Sequence, residues 1–170
     1  MKITVRGLDS VLRRVSEARA GIDDKVKELL RRLGEMGVDM ASVRFQTAQY
    51  DGTNDVTVGT EWKDDETLLI HADGHAVAFI EFGTGVHYRE SHPKAAEFGA
   101  IRGSYGYGLG KLDSWRYRGD PGSKGAVYDD PSLPHWGMVE THGNPPARAM
   151  YDTAKDLRER VAQTAREVFG

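Results

Sequence analysis

The residue types that could do chemistry are spread along the chain, and each cluster is judged by the geometry its reaction requires. Gly106-Tyr-Gly-Leu-Gly-Lys111 resembles a phosphate-cradling loop, but such a loop needs a glycine five positions before its Gly-Lys pair and a hydroxyl after it. Tyr105 and Leu112 stand there instead. A dinucleotide-binding turn would place its third glycine where Lys111 falls, within a strand-turn-helix frame that the flanking residues do not suggest. Among the six histidines, His71 and His75 flank Asp73. They sit four apart across an expected strand-turn-strand, which does not aim two rings at one ion as a helical turn would. His87, His92, His135 and His142 follow no metal-ligand spacing. Ser91-His-Pro-Lys94 has the Ser-x-x-Lys spacing of some acyl-enzymes, but a proline interrupts it and neither Ser-Asp-Asn nor Lys-Thr-Gly occurs. The acid pairs Asp64-Asp65 and Asp129-Asp130 are sequence neighbours that point apart more readily than they share a substrate. With no cysteine, disulfides, thiolate metal sites and thiol nucleophiles are excluded. The expectation is a non-enzymatic chain without cofactor or metal.

The elements that would position these residues follow from periodicity. Leu8, Val11, Val15, Ala18, Ile22, Val26, Leu29, Leu33, Met36, Met40 and Val43 recur every three or four residues, which is one stripe of an amphipathic helix. Gly21 before Ile-Asp-Asp reads as a stop and restart, so the spacing predicts helices over residues 8–20 and 22–48. Gly34 and Gly37 mark a possible bend. From Val56 the period is two, giving a strand to Trp62. Residues 67–72 and 75–82 follow across the turns Lys63-Asp-Asp-Glu66 and Ala72-Asp-Gly74, which predicts a three-stranded antiparallel meander. Residues 2–6 could add an edge strand. Met150, Ala154, Leu157, Val161, Thr164 and Val168 share one face of a C-terminal helix, expected from Pro145-Pro146 as its first turn. Eight of the 20 glycines fall between residues 99 and 125 beside Tyr105, Tyr107, Trp115 and Tyr117, so this stretch is an insertion with aromatic anchors. The expected fold class is α+β in one domain of 170 residues. It has a helical part over 1–48, a meander over 55–82, an insertion over 83–142 and a helix over 146–169. The helices pack on one face of a small antiparallel sheet.

Composition bounds the partners. The net charge is −3, which disfavours a protein that works by neutralising phosphates. Residues 51–100 carry 3 basic and 10 acidic side chains, whereas residues 1–50 carry 10 and 7. Such asymmetry suits contact with another copy as well as a solvated acidic face. No apolar run approaches the roughly 20 residues of a membrane span. A chain kept inside a cell, unless packaged in a particle, is the expectation.

Two segments resemble a known family. Ala76-Val-Ala-Phe-Ile-Glu-Phe-Gly-Thr-Gly85 and Gly143-Asn-Pro-Pro-Ala-Arg-Ala-Met-Tyr-Asp-Thr-Ala-Lys-Asp-Leu157 resemble the minor tail or neck (tail-completion, head-tail joining) proteins of long-tailed bacteriophages and prophages. The likeness extends loosely over residues 2–48 and well over 56–85 and 141–169. Ser91-His-Pro93 is similar to an insert in prophages of Gram-positive bacteria. Gln49-Tyr-Asp-Gly-Thr53 departs from the family's usual Pro-Val-Asp-Thr-Gly link, and Ala149 stands where a bulky residue is usual.

The resemblance implies a structural virion protein of the siphovirus type, assembled in the host cytoplasm as a ring of six or twelve copies at the head-tail junction. Its partners would be other head-completion and tail-tube or terminator proteins, with genomic DNA passing through without sequence-specific binding. An acidic wall suits that passage, because attraction to phosphate would stall it. Glu81, Phe82, Gly83, Thr84 and Gly85 are candidates for a subunit contact or the hinge of the insertion, with Glu81 placed to pair with an arginine of a neighbour. A plain strand end and turn is the competing reading. Pro145, Pro146, Arg148 and Met150 join them as interface candidates. Tyr105, Tyr107, Trp115 and Trp136 could dock on an adjacent subunit or fold back on their own sheet. Two other classes stay open: a metal-dependent hydrolase using some of the histidines, and a cytoplasmic regulatory binding domain that captures a partner through its helices.

Overall fold

The helical spacing yields one helix where two were expected. In the computed structural model, which describes residues 8–103 and 109–170, α1 runs unbroken over Leu8–Gln46. Gly21 costs the helix about 1 kcal/mol relative to alanine but does not interrupt it. Arg19 reaches Asp23 across it at 3.9 Å. The apolar stripe also turns as it runs. A repeat of 3.5 residues drifts by about 20° per heptad on a straight helix, so from Leu8 to Val43 it rotates by roughly a quarter turn. Ala41 and Phe45 therefore enter the core while Val43 stays exposed.

The alternating segment forms the ribbon β1 (Thr57–Asp64) and β2 (Thr67–Asp73), antiparallel with Thr57 opposite Asp73 and Trp62 opposite Leu68. Asp64 Oδ1 accepts the Glu66 N–H at 2.8 Å and closes the expected turn. Gly34 and Gly37 do not bend α1. They let the ribbon approach, since a Cβ on Gly34 would lie 2.5 Å from Leu68 Cδ2 and one on Gly37 would collide with Ile70 Cδ1.

The third strand of the meander is a correction: Val77–Phe82 is a short helix, α2. A short apolar run such as Ala76–Phe82 fits a buried helix as well as a buried strand by periodicity alone, and hydrogen bonds from a distant residue favour the helix. Asp55 Oδ2 and Oδ1 accept the N–H groups of His75 and Ala76 at 2.8 and 2.9 Å, satisfying the donors at the start of α2. The same two bonds, Ala76 first, hold the Asp55 carboxyl below its ordinary value. A carboxyl lowered in the folded state contributes stability above its unfolded value near 3.9, lost as the pH falls through the folded one. The melting temperature of the wild type should therefore exceed that of Asp55→Asn at pH 6 and converge on it toward pH 3; a pH-independent gap would refute the assignment.

The C-terminal helix α3 (Ala149–Phe169) begins later than expected. Pro145 precedes another proline and so is driven away from helical angles. The N–H groups of Ala147 and Arg148 instead go to the carbonyls of Ile80 and Glu81, at 2.9 and 3.2 Å, at the end of α2. α3 lies along α1, where the Arg44 guanidinium donates to Thr153 Oγ1 at 2.6 Å and to Asp156 Oδ2 at 2.5 Å. Thr153 and Thr164 are buried on its inner side, while Ala154 and Val161 of the expected face are exposed. Phe45, Ala76, Ile80 and Ala149 form the core at the meeting of α1, α2 and α3, with Tyr50, Val56, Val58 and Met150 packed around it.

The insertion builds a second sheet, β3 (Trp115–Tyr117) and β4 (Ala126–Val127) on either side of β5 (Val139–Thr141). It is fastened to its own chain: Thr141 Oγ1 donates to Asp51 Oδ2 at 2.7 Å, and Ser123 exchanges hydrogen bonds with the backbone of Tyr50. The architecture is α+β, with a long N-terminal helix, small antiparallel sheets and a C-terminal helix, the β1–β2 ribbon lying against α1. Among the described residues, no helix is long and apolar enough to cross a membrane. The possible strand at residues 2–6 lies outside the described residues.

Candidate functional site

The two segments that carry the family resemblance, 60 residues apart in sequence, interlock in space. α2 ends at Gly83, whose φ of 76° and ψ of 171° turn the chain sharply. Thr84 then pairs with Asn144 as an isolated antiparallel bridge. The Thr84 N–H donates to the Asn144 carbonyl at 2.9 Å, and Thr84 Oγ1 donates to Asn144 Oδ1 at 2.5 Å. Asn144 Nδ2 reaches the carbonyls of Phe79 and Pro145 at 2.9 and 3.2 Å. Asn144 is 2% exposed, so every polar atom of its side chain needs such a partner.

Glu81 is the centre of this junction. Its residue is 6% exposed. Oε2 accepts the Met150 N–H at 2.8 Å and Oε1 accepts the Tyr151 N–H at 3.0 Å. These are the second and third positions of α3, the donors that an N-cap side chain ordinarily satisfies. Arg148, the residue at the cap itself, is left-handed with φ 53° and makes no cap bond. A carboxylate borrowed from α2 thus performs the capping and meets the positive end of the helix dipole. His92 completes the arrangement: the Lys94 N–H donates to its Nδ1 at 3.0 Å, so the hydrogen is on Nε2, which donates to Glu81 Oε1 at 3.1 Å. The His92 ring also meets Phe82 edge-on, centroids 4.5 Å apart, and Tyr151 at 5.3 Å. Ser91-His-Pro93 is thereby pinned to the body of the fold.

No protein-family model, curated protein or solved structure matches this chain.

The interface candidates divide accordingly. Glu81, Phe82, Gly83, Thr84, Gly85, Pro145, Pro146 and Met150 meet inside the chain, as a helix end crossing a helix start and not as a strand end. Glu81 is spent on α3 and His92, which corrects the expectation of a carboxylate waiting for a neighbour's arginine. Arg148 is exposed and lies 3.6 Å from Asp152. Trp115 packs beside Gly85, where a Cβ would lie 2.9 Å from the indole, so it folds back on its own subunit. Trp136 is 56% exposed and stands apart from the junction. Tyr105 and Tyr107 lie outside the described residues. Asn144 and the capping role of Glu81 were missed from sequence; an acid in a buried apolar run and an asparagine before Pro-Pro were the available signals.

Two further features bear on function. His87, Asp113 and His142 each offer a ligand atom, all within 4.8 Å of one another, at the surface. And over residues 10–25 every side chain of α1 is exposed, including Val11, Leu12, Val15 and Ile22 at 55–60%. That half of the helix extends about 24 Å beyond its packed half, at 1.5 Å per residue.

Proposed function

We propose that this chain is a structural virion protein of a long-tailed phage, assembling as a ring at the head-tail junction with neighbouring head-completion and tail-tube or terminator proteins. DNA would pass through the ring without being read. The observation that carries the reading is the free half of α1. An isolated helix of this length is marginal in water, and its apolar stripe contradicts solvent exposure. A second copy is the occupant that a closed ring supplies, because each subunit then covers the helix of the next. Charge is nearly balanced on this half, since Arg13 and Arg19 pair with Glu17 and Asp23 and Lys25 reaches the Phe169 carbonyl, so the apolar stripe carries the argument. Among the described residues the outer edges of the two-stranded ribbon pair with no further strand and offer further contact. The interlocked junction then serves as the rigid base from which the helix and the insertion project.

Light scattering across a concentration series tests this. The wild type should give the mass of a hexamer or dodecamer, and Val15→Asp with Ile22→Asp should give a monomer whose melting temperature for the packed body is retained. A wild-type monomer at every concentration would overturn self-assembly and move the reading to a partner-capturing domain. Hydrolysis has less support, since the His87–Asp113–His142 group lies open on the surface and not in a substrate cleft.

A further inference from the structure

We infer that His87, Asp113 and His142 form a binding site for a divalent transition-metal ion of the zinc type, which clamps the insertion to the body of the fold. The three residues come from segments far apart in sequence. His87 follows the Gly83–Gly85 turn, Asp113 precedes β3, and His142 follows β5 directly. Their approach is set by structure that does not depend on the side chains themselves. The pairing of Trp115 with Thr141 fixes β3 against β5 and so sets Asp113 beside His142. Gly85 seats its turn against the Trp115 ring and the His142 carbonyl, with a Cβ position 3.0 Å from that oxygen. The Arg102 guanidinium donates to the carbonyls of Gly85 and Val86 and steadies the residue next to His87.

The resulting distances suit an ion. His87 Nδ1 lies 3.3 Å from Asp113 Oδ1, and His142 Nδ1 lies 3.8 Å from Asp113 Oδ2. Ligand atoms bound at 2.0–2.2 Å in tetrahedral geometry sit roughly 3.3 Å apart, so only small side-chain rotations are needed. The two imidazole rings lie 4.9 Å apart between centroids, within the ordinary range for tilted ring pairs and compatible with two ligands of one ion. His142 Nδ1 also faces the Asp113 backbone carbonyl at 3.2 Å, a hydrogen bond that the ring exchanges for the ion when Nδ1 becomes the ligand. Two imidazoles and one carboxylate favour zinc, nickel, copper or iron over calcium or magnesium, which prefer oxygen ligands throughout. Three protein ligands leave a position for water or for a side chain of an adjacent copy. The role is structural: one ion would tie together the turn after α2, the lead-in to β3 and the end of β5, as three weak surface contacts cannot.

The test uses the untagged full-length protein stripped of metal, titrated with Zn²⁺ alone, and with Co²⁺ for its absorption spectrum. The expected result is one ion per chain and a melting temperature raised on the order of 5 °C at a hundredfold excess over Kd. Affinity should fall at least about tenfold in His87→Ala and His142→Ala. It should be unchanged in His71→Ala, whose ring lies 2.7 Å from Asp73 and is the competing surface pair. Asp113→Asn, which keeps its shape, carries the same test if either histidine variant fails to fold. Substoichiometric binding, or binding that survives His142→Ala and Asp113→Asn, would overturn the assignment.

Discussion

Glu81→Ala should lower the unfolding free energy by about 3–5 kcal/mol, the scale of stranding three hydrogen-bond donors at once. The physical account is specific. Without the carboxylate, the N–H groups of Met150 and Tyr151 have no acceptor at the start of α3, and each stranded donor costs on the order of 1–3 kcal/mol. Nε2 of His92 loses its acceptor as well. Glu81→Gln should cost less, about 2 kcal/mol, because an amide oxygen can still accept from one helix donor while its NH₂ confronts the other. Urea unfolding measures both as a lower midpoint at unchanged slope. The experiment also separates two roles for this residue. A subunit contact would change the mass in solution and leave the stability of the chain alone; a helix cap changes stability first. A loss below about 1 kcal/mol for the alanine variant would remove the capping role.

The parts of the fold that were legible in sequence are those where one periodicity dominates. The helical period of the α1 stripe, the alternation from Val56 to Trp62 and the acidic turn at Asp64 have local causes and appear as expected, whereas the break expected at Gly21 does not. The errors arise where a distant residue decides local structure. Ala76–Phe82 is apolar enough for a strand, and Asp55, 20 residues earlier than His75, makes it a helix by supplying the first acceptors. Pro145-Pro146 suits a helical first turn, yet the end of α2 takes the N–H groups of Ala147 and Arg148 and delays α3. Gly34 and Gly37 read as weak points of a helix and prove to be the surface on which Leu68, Ile70 and Leu157 lie. The candidate site shows the same division. Glu81 through Gly85 and Pro145 through Met150 were selected as two separate contacts, and no spacing rule announces that they are two halves of one junction. His87 and His142 were visible as histidines, but only the pairing of β3 with β5 brings Asp113 between them.

Gly83→Ala should be strongly damaging, costing about 3 kcal/mol or more. At φ 76° and ψ 171°, the backbone occupies a region that is nearly glycine-only, and holding an alanine there costs on the order of 1–3 kcal/mol before any contact is counted. The contacts then add to it. The new Cβ would lie 2.6 Å from the Pro146 nitrogen and 2.8 Å from the Asn144 carbonyl oxygen. Both are backbone atoms, and they are held by the Thr84–Asn144 bridge and by the Ala147 N–H on the Ile80 carbonyl, so neither can withdraw without opening the junction. Gly21→Ala is the matched control. Nothing lies within 4 Å of its Cβ position, so it should be neutral or stabilise α1 by up to about 1 kcal/mol. The comparison distinguishes a lost junction from a general sensitivity to added methyl groups. If Gly83→Ala melts with the wild type, the close crossing of the two segments is wrong. If it unfolds early and Gly21→Ala does not, the Glu-Phe-Gly-Thr-Gly turn is conformationally required because a proline-led chain passes directly beneath it.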